Sequence, residues 1–223
     1  MTLLIFDCDG VLVDSELIAL EILANMLTEL GWPVKPAECR ARFMGRSTRE
    51  VLSEVEAMLG HSIPAEFGEA MQAQLFVRLR RELQPVRDIR DVVTALPYPV
   101  CVASSSQPER IALSLAVTDL APLFAGRVFS AAEVRHGKPA PDLFLHAAVR
   151  MGIPPEHAIV IEDSPAGVIA ARRAKMGAIG FAGASHADAG LADLLARAGA
   201  REVLVRMTDL PAAIERLRAL VPP

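Results

Sequence analysis

Short apolar runs recur along this chain, and stretches long enough to form helices separate them. The clearest runs are residues 3–6, 100–103, 128–129 and 158–161, followed by weaker ones at 179–181 and 203–205. Wholly apolar runs bounded by turn residues are typical of parallel strands that are buried on both faces. Helical stretches between the later runs predict β-α-β connections. We therefore expect an α/β fold built on a doubly wound, mostly parallel sheet.

Residues 15–84 show no strand pattern and have the spacing of helices instead. Apolar residues recur there every three or four positions, at Leu20, Leu23, Leu27 and Leu30 and again at Phe67, Met71, Leu75 and Leu79. This spacing places them on one face of a helix. The sequence predicts a small all-helical domain at 15–84, inserted after the first strand of an α/β core at 1–14 and 85–223.

Local signals predict several helix ends. The pairs Ser47–Glu50 and Ser106–Glu109 match the capping-box pattern, which indicates two helix starts. Ser164 followed by Pro165 indicates a third start, because serine caps helices and proline suits the first helical position. We expect this third helix to run to Met176.

The composition restricts the function classes that are open to the chain. Hydrophobic residues make up 52% of its 223 residues, which is enough for a sizeable core. A net charge of -4 argues against a dedicated nucleic-acid binder. No apolar run approaches the roughly 18 residues of a membrane span, and no basic stretch precedes the first run, so we expect a cytoplasmic protein without a membrane partner. Three widely separated cysteines argue against a disulfide framework or a zinc site.

Polar residues follow the apolar runs. Asp7 and Asp9 come after the first run, Ser104–Ser106 after the second, Lys138 in the loop beyond the third, and Glu162–Asp163 after the fourth. In open α/β sheets, ligands bind beyond the carboxyl ends of the strands. We therefore expect these side chains to converge on one edge of the sheet.

The acids in this set predict a metal site. Asp7 and Asp9 point the same way if the chain is extended. Carboxylates that lie so close either share a hard cation or have separated pKa values. Glu162 and Asp163 can complete a Mg²⁺ site from a neighbouring strand end, and the metal would also balance the charge of an incoming phosphate.

The remaining polar residues suit phosphate chemistry. Lys138 supplies a point charge, and it is one of only three lysines in the chain. Ser104 supplies a hydroxyl, and backbone N–H groups follow it near a predicted helix start. Together these groups predict phosphoryl transfer to a carboxylate nucleophile.

These residues also resemble four ordered motifs of the haloacid dehalogenase superfamily. The matching segments are Asp7–Ser15, Ser104 after Val102–Ala103, Gly137–Asp142 and Ile161–Gly167. The resemblance spans nearly the whole chain, and the helical insertion resembles the cap domain of the β-phosphoglucomutase-like subgroup. Bacterial sugar-phosphate phosphatases, including those of 6-phosphogluconate, are the members that it most resembles.

The resemblance implies a role for each matching residue. Asp7 would attack phosphorus, and Asp9 would protonate the leaving group and then activate water. Ser104 and Lys138 would hold the transferring phosphoryl group. Magnesium would be bound by the Asp7 carboxylate, the Asp9 carbonyl and Asp163, with Glu162 assisting directly or through water.

Substrate contacts are predicted in two loops. Arg46 and Arg49 follow Gly45 in the helical insertion, and similar proteins use this loop to contact substrate. An arginine fork suits phosphate or carboxylate, although the same residues fit a solvated helix start equally well. Ser105 is a further candidate beside Ser104.

The sequence therefore predicts a Mg²⁺-dependent phosphatase of a small phosphorylated metabolite, a sugar phosphate or sugar-acid phosphate. One alternative is a phosphosugar mutase, although Ala19 stands where β-phosphoglucomutases carry a cap histidine. A phosphonate hydrolase would need a cap lysine, and Lys35 in a proline-rich turn is a poor candidate. A non-catalytic metabolite sensor on the same fold is the alternative of another class.

Overall fold

The computed structural model describes residues 1–43 and 48–219, except for the side chains of residues 48–50. The chain divides into two compact units, one formed by residues 1–14 and 84–223 and the other by residues 15–83. The predicted capping box Ser47–Glu50 lies outside the described residues. Across the described part of the chain, no helix has both the length and the apolar character needed to cross a membrane.

The smaller unit is built from helices. Those described are α1 (Glu16–Glu29), α2 (Pro36–Phe43), α3 (Thr48–Leu59) and α4 (Phe67–Glu82). The first helix packs against α2 and α4 and buries Ile22, Leu23 and Leu27. Helix α4 buries Leu75 and Leu79, so the repeating apolar positions form the packed face that their spacing predicts.

The larger unit is an α/β sandwich around a parallel sheet. Its strands are β1 (Leu3–Phe6), β2 (Val100–Ser104), β3 (Val128–Ser130), β4 (Ala158–Glu162), β5 (Gly177–Phe181) and β6 (Glu202–Leu204). Its described helices are α5 (Ile89–Ala95), α6 (Pro108–Val117), α7 (Asp142–Met151), α8 (Pro165–Arg173), α9 (Leu191–Ala198) and α10 (Leu210–Ala219). The strand order is β3-β2-β1-β4-β5-β6, and every neighbouring pair is parallel. The predicted α/β fold with a parallel sheet is confirmed.

Strand order brings the polar strand ends together. Strand β1 lies between β2 and β4, and Phe6 is in register with Val102 and Ile161. The backbone N–H of Asp7 donates to the carbonyl of Ile161 at 3.0 Å, which extends the pairing by one residue. Every residue of β1, β2 and β4 is buried, as expected for parallel strands that are covered on both faces. The residues that follow these three strands therefore share one edge.

The helix that follows β4 begins as predicted. Ser164 is its cap, and the side-chain Oγ accepts a hydrogen bond from the backbone N–H of Gly167 at 3.0 Å. The helix ends at Arg173 rather than at Met176, so the predicted end was wrong by three residues. Lys175 takes a φ of +61°, which a right-handed helix cannot accommodate.

The predicted Ser106–Glu109 capping box was wrong. Helix α6 begins at Pro108, and Gln107 precedes it in an extended conformation without a side-chain cap. Proline fills the first helical position, where no backbone N–H is required. The Ser106 hydroxyl is engaged instead by Asp9, from another strand end.

Candidate active site

Lys138 lies in a buried charge cluster at the carboxyl edge of the sheet. Its Nζ is 2.5 Å from Oδ1 of Asp7 and 2.5 Å from Oε1 of Glu162, and it donates to the carbonyl of Ala103 at 3.1 Å. The side chain is only 5% exposed. Burial lowers the pKa of this ammonium group, but the charges of Asp7 and Glu162 raise it by more, so the net shift is upward. Lys138 therefore remains a cation inside the cluster.

Three carboxylates lie together at this edge, and two of them, Asp7 and Glu162, contact the ammonium group. Asp7, Glu162 and Asp163 each have one carboxylate oxygen in a common group, and these three oxygens lie within 4.8 Å of one another. Burial raises the pKa of Asp7 well above its ordinary value; Lys138 opposes that rise, and the charges of Glu162 and Asp163 add to it. Burial likewise raises the pKa of Asp163. Negative charge is therefore in excess at this edge.

The donor set fits a divalent cation. Carboxylate oxygens are the ligands that Mg²⁺ prefers, with water or phosphate completing its shell. A second cation beside Lys138 would oppose the burial and, after it, the repulsion between acids that together raise the pKa of Asp7. The side chain of Asp9 is not part of the three-carboxylate group. Its predicted contribution through the backbone carbonyl stays a prediction.

Glu162 is held in place from the start of α8. Its Oε2 accepts hydrogen bonds from both the backbone N–H and the hydroxyl of Ser164, each at 2.9 Å. A Cβ atom at position 167 would lie 1.8 Å from Oε1 of Glu162, so only glycine leaves room for this carboxylate. The fourth motif thus supplies Glu162, the Ser164 groups that donate to its carboxylate, and the glycine that leaves room for it.

Asp9 is held by Ser106, which precedes α6, and by Arg110 within that helix. Its Oδ2 accepts from the Ser106 hydroxyl at 2.6 Å, and its Oδ1 is 2.7 Å from Nη2 of Arg110. The Arg110 and Asp9 side chains are 20% and 13% exposed. Both carboxylate oxygens are therefore engaged, which fixes the orientation of the group.

The predicted serines differ in their surroundings. Ser104 is 1% exposed, and its Oγ accepts from the backbone N–H of Ser106 at 3.1 Å. Ser105 is exposed. Arg46 and the side chain of Arg49 lie outside the described residues, so their predicted contact with substrate stays a prediction.

Sequence reasoning missed three residues of this edge. Ser106 was assigned to a helix cap, Arg110 lies in the first turns of α6 without any motif of its own, and His186 was not singled out for a role. His186 is buried, with Nε2 3.1 Å from Oδ2 of Asp163. No sequence signal marked Arg110, because it lies inside α6 while its neighbour Ser106 lies before the helix begins.

Known proteins match this chain over most of its length. A family model described as haloacid dehalogenase-like hydrolase matches residues 1–175. The chain belongs to this family. The predicted membership is therefore confirmed.

Individual relatives agree with this assignment. The 6-phosphogluconate phosphatase of Escherichia coli (strain K12) is 31% identical over 163 residues, which cover 73% of this chain and 74% of that protein. A haloacid dehalogenase-like protein of unknown function from Agrobacterium tumefaciens is 39% identical, with a TM-score of 0.90 over 98% of this chain and 99% of that one. A family hydrolase from Deinococcus radiodurans, solved with bound phosphate and sodium, is 30% identical, with a TM-score of 0.80 over 100% and 99% of the two chains.

Proposed function

We propose that this chain is a Mg²⁺-dependent phosphatase that hydrolyses a small phosphorylated metabolite, of the sugar-phosphate or sugar-acid-phosphate class. The observation that carries the proposal is the buried cluster of Asp7, Glu162 and Asp163 around Lys138. Support for the substrate class comes from the relative that is named a 6-phosphogluconate phosphatase.

Asp7 is the nucleophile in this proposal. One of its carboxylate oxygens forms a bond to phosphorus while the bond from phosphorus to the leaving oxygen breaks. Lys138 and the Ser104 hydroxyl hold the phosphoryl oxygens and balance their charge. Mg²⁺, when bound by Asp7 and Asp163, supplies further charge neutralisation for the phosphoryl group. Burial of these groups strengthens each interaction, because the surroundings are less polar than water.

Asp9 moves the protons. It donates one to the leaving oxygen as the alcohol departs, and it is left as a carboxylate. That carboxylate then takes a proton from a water molecule, whose oxygen attacks phosphorus and releases phosphate and Asp7. Ser106 and Arg110 hold Asp9 by its two oxygens, so its orientation is fixed by the segment that enters α6.

The helical unit at 15–83 is the cap of this enzyme in our proposal. Arg46, Arg49 and Ser105 contact the part of the substrate that is not transferred. An arginine pair of this kind suits a carboxylate or a second phosphate. Closure of such a cap would exclude bulk water during transfer and permit release afterwards.

A panel of phosphorylated metabolites tests the proposal. Purified protein is incubated with sugar phosphates, sugar-acid phosphates and glycerol phosphates, and released phosphate is measured with Mg²⁺ or with EDTA. We expect release from at least one sugar or sugar-acid phosphate, loss of release with EDTA, and recovery when Mg²⁺ is added back. Isomerisation of glucose 1-phosphate without phosphate release would favour the mutase, and binding without turnover of any compound would favour a sensor.

A further inference from the structure

The loop after β5 is fixed against the end of the first motif. The Oγ of Ser185 donates to Oδ1 of Asp14 at 2.7 Å, and the backbone N–H of Ser185 donates to Oδ2 of the same carboxylate at 3.2 Å. The backbone N–H of Ala187 closes a turn by donating to the carbonyl of Ala184 at 3.0 Å. The position of His186, between these residues, is therefore set by the backbone on both sides.

The side chain of His186 reaches the acidic cluster from this loop. It is only 2% exposed, and its Nε2 lies 3.1 Å from Oδ2 of Asp163. A neutral imidazole with its proton on Nε2 donates to that oxygen. No described residue donates a hydrogen bond to Oδ1 of Asp163. The contact thus engages Oδ2 of a carboxylate that also belongs to the three-carboxylate group.

Gly10 makes room for this pair. A Cβ atom at position 10 would lie 1.9 Å from Oδ2 of Asp163 and 2.8 Å from Cε1 of His186. Gly10 also takes a φ of +77°, a conformation that side chains rarely adopt. The first motif, the fourth motif and the loop after β5 therefore pack against one another at a single point.

From this geometry we infer that His186 is a positioning residue of the cation site: it holds the Asp163 carboxylate in the orientation that it has in the three-carboxylate group. This inference rests on the cation site of the proposed function. A carboxylate that turns freely loses entropy when it binds a metal, whereas one held by a hydrogen bond is already oriented. Outer partners of metal ligands typically change metal affinity by about 10- to 100-fold when they are removed.

A competing explanation is that His186 is a counter-charge. An imidazolium beside Asp163 would neutralise the carboxylate and repel an incoming cation. The two explanations predict opposite effects of removing the ring. Loss of a positioning hydrogen bond weakens cation binding, whereas loss of a positive charge tightens it.

Titration calorimetry with Mg²⁺ alone, and no substrate, separates these explanations. His186→Leu removes the hydrogen bond, and His186→Gln retains an N–H donor near the position of Nε2. His157→Gln is the matched control, because His157 is an exposed histidine of the same unit, close to the amino end of β4. Circular dichroism and thermal unfolding without metal check that each variant is folded.

We expect Mg²⁺ to bind the His186→Leu variant about 10- to 100-fold more weakly than the wild type, with most of the affinity retained by His186→Gln and all of it by His157→Gln. Unchanged or tighter binding by His186→Leu overturns the inference, as does an equal loss in the Leu and Gln variants. If the wild type binds no Mg²⁺, the cation site of the proposed function itself fails, which is a different result.

A measurement on the wild type avoids any folding defect of the variants. In ¹⁵N-labelled protein, long-range correlation spectra report which ring nitrogen of His186 carries the proton. The inference predicts a proton on Nε2 both without and with Mg²⁺. A ring protonated on Nδ1 alone overturns it, because Nε2 could not then donate to Asp163.

Discussion

Ion pairs in the two units of the molecule differ sharply in their surroundings. In the helical unit, Arg78 pairs with Glu21 at 2.8 Å while the two side chains are 28% and 46% exposed. At the carboxyl edge of the sheet, Lys138 pairs with Glu162 at 2.5 Å, and the two side chains are 5% and 1% exposed. Exposed pairs of the first kind contribute little to stability. Forming a buried pair of the second kind removes water from both charges. The attraction between the charges does not reliably offset that loss of hydration free energy.

The difference indicates which charges have a role beyond stability. A fold gains little from placing three carboxylates around one ammonium group in its interior, because apolar side chains would pack there at lower cost. Such an arrangement is expected where chemistry needs it. Substitutions at the sheet edge should therefore impair turnover or folding strongly, and matched substitutions in the helical unit or on exposed surfaces should not.

The largest effect is expected for Asp7→Asn. The amide cannot form an aspartyl-phosphate, so phosphate release should fall by more than about a thousandfold. The fold should survive, because the amide has nearly the shape of the carboxylate and Lys138 keeps its pair with Glu162 at 2.5 Å. Initial rates and thermal unfolding measure both effects. Asp91→Asn, at an exposed position in the first turn of α5, is the matched control and should retain full activity.

Lys138→Met should damage both stability and turnover. Without the ammonium group, Asp7 and Glu162 are left buried beside each other, and breaking a buried pair in this way costs about 3–5 kcal/mol. Urea unfolding monitored by circular dichroism gives the change in free energy. Lys35→Met makes the same substitution at an exposed position of the helical unit, and it should leave stability almost unchanged.

A smaller effect is expected for Arg110→Gln. Asp9 keeps its contact with Ser106 but loses the second one, and general acid–base catalysis as a whole supplies about 10²–10⁴ in rate, so a tenfold to hundredfold loss is expected. Steady-state rates measure it. If Arg110 acts through Asp9, the substitution should add no further loss in an Asp9→Asn background. Additive losses would contradict the assigned contact.

The smallest effect is expected in the helical unit. Arg78→Gln removes partly exposed pairs with Glu21 and Glu82 and should change the free energy of unfolding by less than about 1 kcal/mol. Phosphate release should be unaffected. A large loss of stability here would remove the contrast between the two units.

Local patterns predicted the features that depend on neighbouring residues in sequence. The strand from Leu3 to Phe6 and the cap at Ser164 both follow from a few adjacent side chains. The convergence of Asp7 with Lys138 followed from one general rule about strand ends and from four ordered motifs. These cases needed no knowledge of distant contacts.

Two of the misses, Ser106 and His186, share a physical cause, which is contact with a distant part of the chain. Ser106 has the local pattern of a cap, but α6 begins only at Pro108, and the Ser106 hydroxyl donates instead to Asp9 from another strand end. His186 lies in a loop with no regular pattern, and its partner Asp163 is set by the loop packing. The early end of α8 has a local cause: Lys175 takes a φ of +61°, and the backbone N–H groups of Lys175 and Met176 donate to the carbonyls of Arg172 and Ala171.

The central claim is that Asp7 forms a covalent bond to phosphorus. The enzyme is quenched with borohydride while it is hydrolysing substrate, and borohydride reduces any aspartyl-phosphate to homoserine. Mass spectrometry of the digested protein then locates the modified residue. The account predicts homoserine at position 7 when both Mg²⁺ and a hydrolysed substrate are present, and none with EDTA. Phosphate release with modification of another residue, or with none at all, would contradict it.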